Sequence, residues 1–324
     1  MRYPASEKLE IIQLVEQSHL PAGRTLALLG VTRSTFYRWY DRWREGGPEA
    51  LRDRPSRANR VWNKIPDAVQ TQIVELALEA PELSPRELAV RFTDENKYFV
   101  SESSVYRLLK ARNLITSPAY IVMKAANEFK DTTTTPNQLW QTDFTYLKIV
   151  GWGWYYLSTI LDDFSRFIVA WRLGPTMRTA DVTATLEQAL TFAGLEHATQ
   201  RPKLLSDNGA SYISSELAGW LEERAMTHIR GAPFHPQTQG KIERWHQTLK
   251  NRILLEHAYM PGDLEERIET FVTHYNYNRF HESLNNLTPA DVYYGRGDAI
   301  LEERRRIKRV TIANRRLQHR LQAA

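Results

Sequence analysis

The chain has 324 residues, 42% of them hydrophobic and 25% charged, with a formal net charge of +5. That length accommodates two or three domains with separate cores, and the composition is ordinary for a soluble globular protein. No apolar run approaches the roughly 20 residues of a membrane span, Glu7, Lys8, Glu10 and Glu16 make an N-terminal signal peptide unexpected, and the absence of cysteine excludes disulfides and the usual Cys-containing zinc sites.

Residues 6–17 carry apolar Leu9, Ile12, Leu14 and Val15 at helical spacing after Ser6, a candidate N-cap. A short helix is expected from Pro21 to Leu29, ending at Gly30. Thr32 is then expected to cap a third helix, Arg33 to Arg44, which stops at Gly46-Gly47-Pro48. Three helices with a tight turn before the last form a helix-turn-helix, whose last helix enters the major groove of DNA. On that helix Phe36 and Trp39 or Tyr40 face inward. Arg33, Ser34, Thr35, Arg38 and Arg42 are left for DNA.

Residues 1–50 are therefore read as a DNA-binding domain, and residues 51–64 as an extended basic linker. The linker's Arg52, Arg54, Arg57 and Arg60 sit among Pro and Ser and suit a minor groove. Residues 65–116 repeat the three-helix order as a second helix-turn-helix, winged-helix-like, with Ser84 and Glu87 spaced as a capping box. Its candidate DNA contacts are Ser103, Ser104, Arg107, Lys110 and Arg112.

Residues 117–135 read as a linker ending in Thr132-Thr133-Thr134-Thr135-Pro136. Beyond it Leu139–Val150, Trp154–Leu161 and Phe167–Leu173 are β-rich runs that suit three antiparallel strands. A helix (Thr179–Phe192), a strand (Lys203–Ser206), a helix (Ser211–Arg224), a strand (Thr227–Arg230) and a long helix (Gln239–Ala258) follow. The last 27 residues, 298–324, read as a basic helix. From 300 onward it holds eight Lys and Arg against Glu302 and Glu303, suiting DNA contact or oligomerisation.

Three acids stand out in this second half. Asp143 lies inside the strand word Trp140-Gln141-Thr142-Asp143-Phe144-Thr145-Tyr146, on the side opposite Trp140 and Phe144. Asp207 follows a short apolar strand in Ser206-Asp207-Asn208-Gly209. Glu243 lies in the first turns of a helix capped by Thr238, in Gln239-Gly240-Lys241-Ile242-Glu243-Arg244, with 35 residues between it and Asp207. At 100° per residue Trp245 and Leu249 turn inward, and Glu243, Gln247 and Lys250 share the opposite stripe. Asp162 and Asp163 also follow a β-run and are read as turn residues before Phe164-Ser165-Arg166.

The triad Asp143, Asp207 and Glu243, with that spacing, resembles the DDE catalytic core of retroviral integrases and bacterial insertion-sequence transposases. Leu161-Asp162-Asp163-Phe164-Ser165-Arg166, Phe234-His235-Pro236-Gln237-Thr238-Gln239-Gly240, Tyr275-Asn276-Tyr277-Asn278-Arg279 and Thr288-Pro289-Ala290 extend the likeness over residues 136–297. The resemblance, not the residues alone, selects Asp143 over Asp162 and Asp163. It implies an α/β chain with an RNase H-like mixed-sheet core behind two all-α helix-turn-helix modules. Lacking cysteine, the chain departs from retroviral integrases, whose N-terminal domain binds zinc through His and Cys.

The implied activity is that of a transposase, a polynucleotidyl transferase that binds terminal inverted repeats, cuts DNA and joins the 3′-OH to target DNA. The three carboxylates would hold two Mg²⁺ ions roughly 3.5–4 Å apart, with Mn²⁺ able to substitute. Lys241, His246, Gln247 and Lys250 are the candidate DNA contacts beside the metals. Gly231–Thr238 reads as a loop closing on DNA, with His235 a DNA contact or a structural residue. Tyr275, Asn276, Asn278, Arg279 and His281 read as a polar-aromatic patch on a helix. The expected partner is double-stranded DNA, the element ends and the target, bound by at least a homodimer in the cytoplasm, nucleoid-associated. The rival readings are a catalytically silent DNA-binding regulator and a nuclease that cuts without joining.

Overall fold

The computed structural model describes residues 4–52, 62–115, 133–149, 151–231, 240–253 and 260–321. The chain forms two compact units, Met1–Trp62 and Asn63–Ala324.

The first unit holds α1 (Ala5–Gln17), α2 (Ala22–Leu28) and α3 (Arg33–Gly46), then a 3₁₀ turn at Pro48–Leu51. Ile11, Ile12, Leu26, Val31, Phe36, Trp39 and Leu51 form its core. The cap of α1 is Pro4 rather than Ser6. Pro4 is extended, and its carbonyl accepts from Lys8 N at 3.0 Å, starting the helix before Ser6 can cap it. Thr32 does occupy the N-cap of α3, but its hydroxyl donates to Thr35 Oγ1 at 2.8 Å instead of accepting from a backbone amide. Gly47, at φ 64°, turns the chain back after α3. Leu51 is thereby fully buried, and its carbonyl accepts from Lys8 Nζ at 3.2 Å. Leu51, expected to open an extended linker, is thus part of this core, and residues 53–61 lie outside the described residues.

The second unit opens with α4 (Asp67–Glu79), α5 (Pro85–Asn96) and α6 (Glu102–Ala111), packed around Ile73, Leu88, Phe92, Val105 and Leu109. The Ser84–Glu87 capping box is formed. No strand occurs among the described residues 62–115, so the winged-helix likeness has no wing there.

A five-stranded sheet follows: β1 (Leu139–Ile149), β2 (Gly153–Asp162), β3 (Ile168–Gly174), β4 (Lys203–Ser206) and β5 (His228–Arg230). The spatial order is β3-β2-β1-β4-β5. β1, β2 and β3 are antiparallel neighbours, and β4 and β5 continue parallel to β1. Interleaved and following are α7 (Thr179–Phe192), α8 (Ser215–Glu223), α9 (Gly240–Ile253), α10 (Pro261–Tyr277), α11 (Pro289–Tyr293) and α12 (Gly297–Leu321). Trp140 and Ile160 pack one sheet face onto Val182 and Leu186 of α7 and Leu217 and Leu221 of α8. Leu147, Leu157 and Leu161 pack the other face onto Ile242, Trp245 and Leu249 of α9 and Ile268 and Val272 of α10. This mixed sheet between two helical layers is an RNase H-like fold.

β4 pairs with β1 only along Leu139–Gln141. Past Gln141 no described strand pairs with that edge of β1, and this is where Asp143 lies.

The polar-aromatic patch expected on one helix over 275–281 is divided by the end of that helix. α10 ends at Tyr277, and Tyr275 and Asn276 are buried. Burial pushes the Tyr275 hydroxyl up to about 12. The Asn276 amide accepts from Ile168 N (2.9 Å) and donates to Ile168 O (3.0 Å), closing β3 where its register against β2 shifts. Asn276→Ala strands a buried donor and acceptor together and is expected to lower stability by about 2–3 kcal/mol in urea unfolding.

His281 packs edge-on against Tyr275 at 4.9 Å. Burial, with the charges of Arg279, Arg166, Arg86 and Arg244, drives its pKa down to about 3. In the unfolded chain it takes up a proton near 6.5, so acid favours unfolding. Its stabilising contribution is complete above about pH 6.5 and is lost progressively toward pH 3. Thermal melts between pH 7 and 4 are expected to fall less steeply for His281→Gln than for the wild type.

Two arginines of the basic C-terminal helix, Arg304 and Arg315, are committed within the molecule. Arg304 of α12 grips Asp94 of α5 at 2.8 and 2.5 Å and donates to Asn286 O. Arg315 donates to Tyr98 Oη, Asn63 Oδ1 and Phe99 O, and Thr311 Oγ1 accepts from Phe99 N. Arg305, Arg306 and Arg309 pair with Glu302 or Glu303 in solvent, contacts that add little stability. Among the described residues no helix is long and apolar enough to cross a membrane.

Candidate active site

β1, the end of β4 and the first turn of α9 carry the three candidate acids. Asp143 is held by its own strand: Oδ1 accepts from Phe144 N at 2.8 Å. Its Oδ2 lies 3.4 Å from His246 Nδ1 of α9. The expected helix stripe is present, with Ile242, Trp245 and Leu249 buried and Glu243 and Gln247 exposed. Partial desolvation of its otherwise exposed side chain, then the charge of Asp143, raises the Glu243 carboxyl above its ordinary pKa, while His246 opposes the shift. Asp143 and Glu243 thus repel one another.

Asp207 leaves β4 into a turn fixed on both sides. Its Oδ1 accepts from Gly209 N at 2.9 Å. A Cβ on Gly209 would stand 3.0 Å from that oxygen, so glycine makes room for the carboxylate. Asn208 donates to Gly231 O, and Gly231 N returns to Ser206 O, each at 2.9 Å. Ser206 Oγ donates to Asp207 O at 2.8 Å and lies 2.9 Å from His228 Nε2.

Tyr212, in the turn after Asp207, packs against the strand that carries Asp143, a placement its sequence position does not announce. Its ring packs 5.9 Å from that of Phe144, and its hydroxyl lies 3.4 Å from Thr142 Oγ1. Burial raises this phenol well above its ordinary pKa. The charges of Asp143 and Asp207 add to the shift, and the Thr142 bond opposes it.

A second set of acids braces the site. Asp163, almost fully buried, accepts from Gln141 Nε2 (2.7 Å), Thr133 Oγ1 (2.7 Å) and Lys241 Nζ (2.8 Å). Gln141 Oε1 in turn accepts from Ile242 N at 3.2 Å. This chain ties β2, β1 and the start of α9 together. A buried glutamine two residues before Asp143 on the same strand face was the available sequence signal. Asp162 accepts from Ser165 N and Oγ and from Asn137 N, closing the β2–β3 turn, and burial raises its pKa.

The candidate DNA contacts divide by environment. Arg33, Ser34 and Arg38 of α3 are exposed, and Thr35 and Arg42 are half-buried. Arg42 donates to Arg52 O at 2.8 Å, and exposed Arg52 pairs with Glu49. On α6, Ser103, Arg107, Lys110 and Arg112 are exposed and Ser104 is half-buried. Beside the acids, Gln247 is exposed and donates to Asn251, and Lys250 lies 4.2 Å from the Tyr146 ring centroid. Lys241 is engaged by Asp163. His246 is buried against Asp143, and its Nε2 has no hydrogen-bond partner among the described residues. These two therefore hold the site's own groups. Arg54, Arg57, Arg60, His235, Thr238 and most of the loop expected over 231–238 lie outside the described residues.

Residues 133–236 and 224–289 each match a family model described as an integrase core domain. Residues 7–60 match a helix-turn-helix domain and residues 35–109 a homeodomain-like domain. The chain carries an integrase core domain behind helix-turn-helix domains, which supports a DDE transposase or integrase, a polynucleotidyl transferase.

An insertion element IS476 protein of Xanthomonas euvesicatoria, described as an uncharacterized 39.2 kDa protein, is 23% identical over 89% of this chain and 76% of its own. The transposase for insertion sequence element IS904 of Lactococcus lactis is 30% identical over 49% of this chain, which spans less than two thirds (62%) of that relative. The HTLV-2 integrase catalytic core domain in complex with magnesium superposes with a TM-score of 0.39 at 21% identity, over 49% of this chain and 97% of that one.

Among the described residues no three carboxylate or imidazole groups stand close enough together to enclose a metal ion. The donor chemistry nevertheless suits a hard divalent cation. All three acids offer oxygen, and the Asp143–Glu243 repulsion is what a bound cation would relieve.

Proposed function

We propose that the chain is an insertion-sequence transposase that binds the terminal inverted repeats of its element, hydrolyses a DNA strand with Mg²⁺, and joins the freed 3′-OH to target DNA. The observation that carries this reading is the juxtaposition around β1. Asp143 of β1 lies 3.4 Å from His246 of α9, the helix that carries Glu243, and Tyr212, in the turn after Asp207, packs on Phe144 and reaches Thr142 on either side of Asp143. Asp143, Asp207 and Glu243 would hold the cations, which when bound promote deprotonation of the attacking oxygen and neutralise the leaving one.

The chain's own groups set the geometry. Phe144 N and Gly209 N each orient one carboxylate by a hydrogen bond. His246 braces Asp143 from α9, and the Asp163–Gln141–Ile242 relay fixes where α9 begins. Exposed Arg33, Ser34 and Arg38, with Ser103, Arg107 and Lys110, would read the repeat, while Lys250 and Gln247 lie beside the acids for substrate phosphate. Two element ends must be held together, so the working species is at least a dimer. The intact triad disfavours a silent regulator, and the DNA-reading modules disfavour a general nuclease.

The test is a labelled fragment carrying the native element ends, incubated with target DNA and Mg²⁺ or Mn²⁺. Joined products support a transposase. Cleaved but unjoined ends support the nuclease, and bound but uncut DNA supports the regulator.

A further inference from the structure

The β1–β2 hairpin carries three large aromatic side chains in solvent: Tyr146, Trp152 and Trp154 are 57%, 58% and 51% exposed. Burying them would have been the ordinary outcome for such apolar area. Tyr146 and Trp154 are diagonal neighbours across the two strands, in T-shaped contact at 5.5 Å. Lys250 of α9 lies over the Tyr146 ring at 4.2 Å, and Lys148 lies 5.8 Å from that of Trp154. From Phe144 to Ile160 the sequence contains no acid, so the hairpin itself offers Lys148 no carboxylate partner. The aromatic strip is continuous with the site: Tyr146 follows Phe144 on the same strand face, Phe144 packs on Tyr212 in the turn after Asp207, and Lys250 over Tyr146 belongs to the helix that carries Glu243.

We propose that Tyr146, Trp154 and Trp152, with Lys148 and Lys250, form a stacking platform for unpaired nucleotides of the DNA strand held at the carboxylates. This rests on the strand-cleavage reading given above. Flat exposed rings stack on base faces, and those faces are free only where DNA is unpaired; within a duplex they already stack on one another. The lysines match the phosphates of the same strand. A second protein surface would need acids to meet those lysines, and it gains nothing from rings set beside the acid pair. Each stacked base contributes on the order of a tenfold gain in affinity.

The experiment uses the full chain without divalent cation, so that no result depends on cleavage. Anisotropy compares a blunt duplex with the same duplex ending in a short unpaired tail. The wild type is expected to prefer the tailed DNA by roughly tenfold or more, with quenching of tryptophan fluorescence. Trp154→Ala and Trp152→Ala should abolish that preference while keeping the wild-type melting curve and blunt-duplex affinity, and Trp154→Phe should largely retain it. Equal wild-type binding of both DNAs overturns the proposal. So does equal loss of both affinities in the alanine variants, or a change in their sedimentation, which would mark the strip as a contact between copies. If strand transfer fails while the preference for tailed DNA persists, the transposase reading falls and the platform stands.

Discussion

Glu243→Gln is expected to leave DNA binding unchanged and to lower strand cleavage and joining by roughly 10³-fold or more. The side chain is exposed on the first turn of α9, so neutralising it costs the fold little. The same change removes the charge that opposes Asp143 and that a cation would require. The raised Glu243 pKa gives the companion expectation: metal-free wild type should take up a proton at this position at a higher pH than an ordinary glutamate, and Asp143→Asn should lower that titration point. Gel-shift binding, cleavage rates and an NMR titration of the carboxyl carbon read the three effects separately.

Asp163→Ala is expected to destabilise the chain by about 3 kcal/mol, because it leaves the Gln141 amide and the Lys241 ammonium without their shared buried acceptor. The relay it breaks sets the start of α9, so cleavage should fall as well, through misplacement of Glu243. Asp163→Asn keeps an acceptor oxygen and should restore most of the stability and bring cleavage to within roughly tenfold of wild type. That contrast separates Asp163 from Asp143, whose Asn variant should be inactive although fully folded. Denaturant midpoints measured beside single-turnover rates would decide; an inactive but fully stable Asp163→Asn would make Asp163 a participant in the chemistry.

Much of this architecture was legible in the residues. Strand alternation set Asp143 opposite Trp140 and Phe144, and helical spacing set Trp245 and Leu249 inward, leaving Glu243 outward. These patterns are local, repeating every two or 3.6 residues, and the apolar face declares itself. Asp162 and Asp163 could not be told from a catalytic pair by pattern, because their meaning depends on Ser165, Asn137, Gln141 and Lys241 meeting across the sheet. His246 and Lys241 looked like DNA contacts because imidazole and ammonium groups on an active-site helix usually reach solvent. Here each turns to a carboxylate on a neighbouring element.

Two of the C-terminal arginines serve the fold instead. A run of positive charge suits phosphate, but Arg304 and Arg315 meet Asp94, Tyr98 and Phe99 O, partners some two hundred residues earlier in sequence. Asn276 was read only as part of a polar-aromatic patch, and its single amide satisfies both backbone groups of Ile168. Local periodicity carries no information about such long-range polar matches.

The central claim is that Asp143, Asp207 and Glu243 together hold the divalent cations. Mn²⁺ binding to the DNA-bound protein, followed by electron paramagnetic resonance, tests it without reference to turnover. The account predicts two bound ions for the wild type and a marked loss of Mn²⁺ affinity in each of Asp143→Asn, Asp207→Asn and Glu243→Gln. Wild-type Mn²⁺ affinity retained in any of the three variants would contradict it.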